Sequence, residues 1–207
     1  MTEPDPSRSE SAAVGQIPST ARVYDALLGG SHNFAVDRQM AEAVRAALPG
    51  IEAAARANRA FLRRAVRHLL DLGVEQYLDL GSGLPTVGNV HEIVHRHDPD
   101  GRVVYVDIDP VAVAHSRAIL RDQPSVTAVR ADLRDPRSIL AHPDVRRLLH
   151  PDRPTGVLAV ASLHFVPDSD DPAGIIAAYR EALAGGGYLV VSHASDDGLP
   201  PEQASRI

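Results

Sequence analysis

The 207-residue chain contains no cysteine and no tryptophan, and its 21 basic residues are all arginine, so lysine is absent too. Each absence closes a branch of chemistry. Without cysteine there is no disulfide, thiol nucleophile, thiolate-held zinc or iron–sulfur cluster. Without lysine there is no phosphate-loop nucleotidase, no kinase of the usual kind and no Schiff-base enzyme. Aromatic residues make up 4% of the chain, which leaves few rings for stacking nucleobases. No apolar run approaches the roughly 18 residues of a membrane span. The N-terminus lacks the hydrophobic stretch of a signal peptide. What is present is a soluble globular composition, 44% hydrophobic and 23% charged. The net charge of −6 argues against non-specific nucleic-acid binding. The chain reads as a cytoplasmic protein.

Residues 1–19 are polar and rich in Pro and Ser, and read as a disordered tail. Residues 20–74 read as helical. Ala21–Leu28 is stopped by Gly29-Gly30, Val36–Leu48 is closed by Pro49-Gly50, and Ile51–Leu72 ends at Gly73. In residues 75–207 the texture becomes strand–helix alternation. Expected strands are Gln76–Leu80, Arg102–Asp107, Val126–Arg130, Gly156–Ala161 and Tyr188–His193. Expected helices are Val87–His97, Pro110–Arg121, Pro136–His150 and Pro172–Ala184. Apolar strands alternating with helices imply right-handed crossovers and an α/β, doubly wound, mostly parallel sheet.

The strongest local signal is YLDLGSGLP, Tyr77 to Pro85. A strand ends near Asp79, and Gly81 and Gly83 flank Ser82, so the backbone can turn sharply against a ligand at the carboxyl edge of the sheet. The dinucleotide fingerprint needs a third glycine, and Thr86 stands in its place. Asp79 repels a pyrophosphate and suits an ammonium group. S-adenosylmethionine carries an amino-acid end, a ribose and an adenine, and no phosphate. At the next strand end Asp107 is placed to accept both ribose hydroxyls, and Asp109 before Pro110 reads as a helix cap. Asp132 follows the third strand at the same edge, where it either accepts from an adenine amino group or caps a turn.

Three further patterns compete for a role. His91-Glu92-Ile93-Val94-His95 matches the H-E-x-x-H zinc signature, but catalytic zinc needs a third protein ligand and Gly101 stands where the extended signature has His. The sequence therefore predicts no metal site, and a zinc hydrolase stays a remote alternative. Arg56, Arg59, Arg63, Arg64 and Arg67 lie along one helix and read as a solvated face rather than a phosphate grip. His164, after the fourth strand, is a candidate general base, joined by Tyr24, His32 and Asn33 if the N-terminal segment folds over the site.

At these motifs the sequence resembles the class I S-adenosylmethionine-dependent methyltransferases. More narrowly, it resembles an actinobacterial S-adenosyl methyltransferase family that was formerly a domain of unknown function. The resemblance runs from about Ser19 to His193. It includes ARVYDALLGGSHNFAVDR, RANRAFLRRAVRHL, QYLDLGSGLPTVGNVHEI, VVYVDIDPVAVAHSRAIL, LAVASLHFVPD and GGYLVVSH. It implies a Rossmann-like domain with S-adenosyl-L-methionine as methyl donor. Asp79, Gly81, Ser82 and Gly83 would surround the methionine part, Asp107 would bind the ribose, and Ile108 would pack on the adenine. Asp132 and Leu133 would contact the adenine ring, and Ser162 would lie near the transferred methyl. The segment holding Tyr24, Gly29 and Gly30 would form a lid.

The resemblance also implies seven strands, whereas only DDGLPPEQASRI follows the fifth here. The expectation is therefore a shortened sheet whose exposed fifth strand pairs two copies. The implied function is methyl transfer to an unknown acceptor, expected to be a small molecule, with a non-catalytic S-adenosylmethionine-binding or regulatory protein as the alternative.

Overall fold

A computed structural model describes residues 16–85, 88–183 and 186–195. They fall into two compact units, one ending at Arg56 and the other running from Ala57 to Ser195.

In the first unit, α1 (Thr20–Leu27) and α2 (Ala35–Ala47) pack through Ala26, Leu27 and Ala41, with Val23, Val44 and Ile51 around them. Buried charge supplements this small apolar contact. Asp37 is wholly buried, and its carboxylate accepts from Arg22 Nε at 2.8 Å and from the backbone N–H groups of Ser19 and Phe34 at 3.0 and 2.8 Å. Arg22 Nη2 donates to the Ile17 carbonyl at 2.6 Å. Ile17 and Ser19, at the end of the expected tail, are thus held by the helices, while residues 1–15 lie outside the described residues. Gly29 takes φ +79° and ends α1. Asp25 then gathers the following loop, its Oδ2 accepting from His32 N at 2.9 Å and Asn33 Nδ2 at 2.8 Å.

The second unit takes up α3 (Ile51–Asp71) from Ala57 onward, then β1 (Gln76–Leu80), α4 (Val90–His95), β2 (Arg102–Asp107), α5 (Pro110–Ile119) and β3 (Val126–Arg130). After these come α6 (Pro136–Ala141), α7 (Pro143–Leu148), β4 (Thr155–Val160), α8 (Pro172–Ala182) and β5 (Gly187–Ser192). The five strands form one parallel sheet in the order β3-β2-β1-β4-β5. Side chains alternate along each strand. Tyr77, Val103, Tyr105 and Leu158 join a core with Leu62, Val66, Leu69, Val90, Val94 and Val113 of α3, α4 and α5. Leu78, Leu80, Val104, Val106 and Val157 join a second core with Ile139, Val145, Leu148, Ile175 and Tyr179 of α6, α7 and α8. Both faces are covered, which is why the strands read as nearly continuous apolar runs. No helix among the described residues is long and apolar enough to cross a membrane.

The expected doubly wound parallel sheet is therefore present. β1, β2 and β3 carry the expected limits, while β4 and β5 each sit one residue earlier. β4 stops at Val160 because Ala161 has φ 56°, outside the extended region. The single helix expected over Pro136–His150 is a correction: it is two helices. Pro143 has no N–H to continue the first and holds His142 extended at φ −61°, ψ 133°. The described part of the helix expected from Val87 begins at Val90, and Thr86, Val87 and Ala184 lie outside the described residues. β5 forms one end of the sheet among the described residues, with Tyr188 39% and Val191 40% exposed.

Candidate active site

In a sheet of this order the crevice lies at the carboxyl edge, between the two strands where the winding reverses, here β1 and β4. Four strands deliver polar side chains to that edge: Asp79 in β1, Asp107 at the end of β2, Asp132 just after β3 and Ser162 just after β4.

The chain leaves β1 through Gly81 at φ +68° and Gly83 at φ +66°, a backbone region that side chains avoid. The N–H groups of Gly81 and Ser82 both donate to the Val106 carbonyl, at 2.8 and 3.0 Å, and tie the loop to β2. Gly81 has a second reason to be glycine: a Cβ there would lie 2.6 Å from Ser162 Cβ. Ser162 follows the strained Ala161, whose N–H is held by the carbonyl and hydroxyl oxygens of Ser192 at 3.1 and 3.0 Å. Ser162 is 5% exposed, and its Oγ has no hydrogen-bond partner among the described residues.

Asp79 is 7% exposed, and its carboxylate likewise has no hydrogen-bond partner among the described residues. Burial pushes its pKa up to about 7; the Arg59 guanidinium opposes that rise and Asp107 adds to it. Asp107 Oδ2 accepts from Gly83 N at 2.6 Å and Oδ1 from Asp109 N at 2.8 Å. Burial raises the Asp107 pKa, against those backbone donors. A carboxylate has about four acceptor positions, so it keeps capacity for hydroxyl donors. Asp109 caps α5 by accepting from Val111 N at 2.8 Å, the role its place before Pro110 indicates. Ile108, between them, is 59% exposed, an apolar side chain presented at the ligand edge.

Asp132 is more committed than the sequence indicates. Arg134 clamps it, with Nε at 2.9 Å and Nη2 at 2.5 Å from Oδ2, and reaches Asp170 Oδ2 through Nη1 at 2.6 Å. Those charge-assisted bonds hold the Asp132 carboxyl below its ordinary pKa. The spacing in RADLRD was the available signal. Leu133 is half-buried, and its carbonyl accepts from Tyr179 Oη at 2.9 Å.

The structure corrects one reading outright. The arginine stripe of α3 is not uniformly solvated: Arg56, Arg64 and Arg67 are exposed, while Arg59 and Arg63 are half-buried beside the glycine loop. Arg59 shares a pocket with Asp79, Ser82, Gly83, Asn89 and Tyr105. The H-E-x-x-H pair is held by other partners. His91 Nδ1 lies 2.7 Å from Tyr105 Oη, and His95 Nε2 lies 3.0 Å from the Gly101 carbonyl and 3.2 Å from Ser125 Oγ. No group of three or more His, Asp or Glu suited to a metal occurs among the described residues.

His164 is half-buried, with its ring 4.3 Å from that of Phe165 and 5.6 Å from that of His193. Burial, and then His193, lower its pKa. Tyr24 and His32 belong to the first unit. There Tyr24 Oη donates to the Ala55 carbonyl at 3.1 Å, and the His32 side chain is exposed.

A parallel sheet with this strand order, a glycine loop and carboxylates at successive strand ends defines a Rossmann-like protein of the class that binds a nucleoside-bearing cofactor. The comparisons narrow the class. The profile of the S-adenosyl methyltransferase family matches residues 8–206. The crystal structure of a candidate methyltransferase from Thermobifida fusca YX is 44% identical with a TM-score of 0.88, covering 100% of this chain and 75% of that one. A DUF574 family protein from Streptomyces avermitilis MA-4680 is 37% identical with a TM-score of 0.88, covering 93% of this chain and 74% of that one. No curated protein matches the chain. The chain belongs to the S-adenosyl methyltransferase family and is an S-adenosylmethionine-dependent methyltransferase.

Proposed function

We propose that the chain holds S-adenosyl-L-methionine along the carboxyl edge of β1, β2 and β3 and passes its methyl group to a small-molecule acceptor in the cytoplasm. The observation that carries this reading is Asp79, a buried carboxylate with no hydrogen-bond donor among the described residues, aimed into the pocket behind the glycine loop. A second unsatisfied group, Ser162 Oγ, faces Gly81 across that loop. Buried polar atoms are usually paired. Asp25 Oδ1 and Gln123 Oε1 are unpaired too among the described residues, but neither residue lines this pocket; Asp79 and Ser162 fit a ligand with donors at their positions.

When bound, the cofactor supplies an electrophilic methyl on a charged sulfonium. The protein's part is positioning and exclusion of water. Asp79 receives the ammonium, and Gly81, Ser82 and Gly83 let the backbone approach the methionine part. Asp107 accepts the ribose hydroxyls with its remaining lone pairs, and Ile108 covers one face of the adenine. Leu133 and Asp132 border the adenine ring, Asp132 with its geometry set by Arg134. Ser162 lies on the methyl side. His164, its pKa lowered, is neutral at physiological pH and takes the acceptor's proton, with Phe165 and His193 framing the acceptor.

Titration calorimetry with S-adenosylhomocysteine tests the cofactor site. Binding in the micromolar range is expected for the intact protein, weakened tenfold or more in Asp107→Asn, whose one oxygen can accept from either the Gly83 or the Asp109 N–H while its NH2 takes the place of the second acceptor. No binding to the intact protein overturns the reading.

A further inference from the structure

Arg59 is a poor fit to the solvated stripe in which it sits. It lies mid-way along α3, half-buried, in the same pocket as Asp79. Other arginines of the chain are spent on carboxylates: Arg22 on Asp37, Arg45 on Glu52, Arg134 on Asp132, and Arg153 on Glu75. Arg59 makes no such pair among the described residues. Its one hydrogen bond to them is Nη2 to the Gly88 carbonyl at 3.4 Å, longer than a good N–H···O bond. A guanidinium has five donors in a fork that matches a carboxylate, so most of its capacity is unused among the described residues.

The pocket therefore holds one carboxyl group with no hydrogen-bond partner among the described residues and one cation, within electrostatic reach of it, whose donors are mostly unused there. An α-amino acid end carries an ammonium and a carboxylate on neighbouring atoms, the complementary arrangement. We propose that Arg59 binds the carboxylate of the cofactor's amino-acid end, so that Asp79 and Arg59 together read a zwitterion. The inference rests on the reading of the site given above. It makes Arg59 a specificity-determining residue: ligands lacking the carboxylate keep the adenosine contacts but lose the fork. It also explains why a loop closed to pyrophosphate by Asp79 has an arginine beside it. Arg63, one turn on, packs against the loop instead, where a Cβ on Gly88 would lie 2.7 Å from its Nε.

The test compares three ligands by calorimetry on the intact protein: S-adenosylhomocysteine, its decarboxylated analogue and 5′-methylthioadenosine, which lacks the whole amino-acid end. Wild type is expected to bind S-adenosylhomocysteine ten- to a hundredfold more tightly than the decarboxylated analogue, the range of a charge-assisted bidentate contact. In Arg59→Gln that preference disappears, while methylthioadenosine binds as it does to wild type. Equal weakening of all three ligands assigns Arg59 a structural role and overturns the proposal, as does an unchanged preference in Arg59→Gln. Should Arg59→Gln not fold, the wild-type comparison decides alone: equal affinity for the carboxylated and decarboxylated ligands overturns it. Wild type binding none of the three overturns the cofactor reading itself.

Discussion

Gly81 and Gly29 share a left-handed backbone, at φ +68° and +79°, but not their surroundings. A Cβ on Gly29 would meet nothing within 4 Å, whereas one on Gly81 would strike Ser162. Gly29→Ala should therefore cost about 1 kcal/mol, the backbone strain alone. Gly81→Ala should cost about 3 kcal/mol, because overpacking against Ser162 adds to that strain. Urea denaturation of both variants checks the contrast, and equal losses would show that the Gly81–Ser162 contact yields freely. At this scale the sequence showed which residues stand at strand ends: Asp79, Asp107, Asp132 and Ser162 all lie where alternation puts them. It could not show side-chain reach. Whether Arg134 folds back onto Asp132, or which arginines of the α3 stripe turn toward the loop, depends on rotamers and on the helix's rotation over the sheet. No periodicity encodes those.

Among the elements, α4 is the shortest to cover the sheet on its face, six residues from Val90 to His95. A helix of that length has little intrinsic stability, and one strand residue seats it. Tyr105 Oη accepts from His91 N at 2.9 Å and lies 2.7 Å from His91 Nδ1, both buried. Tyr105→Phe leaves those groups without a partner and should cost about 1–3 kcal/mol in a chemical melt; a loss below about 0.5 kcal/mol would mean that α4 does not depend on this contact. The same bond explains why H-E-x-x-H, though it matches a metal signature, works as packing. Helix and strand identities followed from apolar spacing and from Pro and Gly punctuation, which hold wherever a face is buried. Pro143 was the miss: it stands inside the span Pro136–His150 expected as one helix, where a proline with no N–H to donate breaks the helix, and the extended His142 marks that break.

For the molecule as a whole, folding stability should carry the signature of Asp79. Its folded pKa of about 7 lies above the ordinary carboxylate value, so burial favours the protonated form. That contribution is fully present below about pH 4 and is lost as the pH rises through about 7. Asp79→Asn removes the penalty of burying a charge. Its stability relative to wild type should therefore rise between pH 5 and pH 8, by on the order of 3 kcal/mol. Urea melts of both proteins at the two pH values measure it, and a difference that does not change with pH would place the Asp79 carboxyl in a wetter site than the one described.

The strand order also has a consequence in time. β1 is central, pairing with β2 on one side and with β4 on the other, and Gln76 meets Thr155 across 79 residues of chain. During synthesis β1, β2 and β3 emerge first and can associate, but the second edge of β1 must wait for β4. At roughly 5–20 residues per second that wait lasts roughly 4–16 s. Through that interval a buried apolar strand, Gln76–Leu80, has an open edge able to pair with another nascent chain. Slower translation would lengthen the exposure and faster translation shorten it, so soluble yield in a heterologous host should depend on the speed at which residues 81–160 are made.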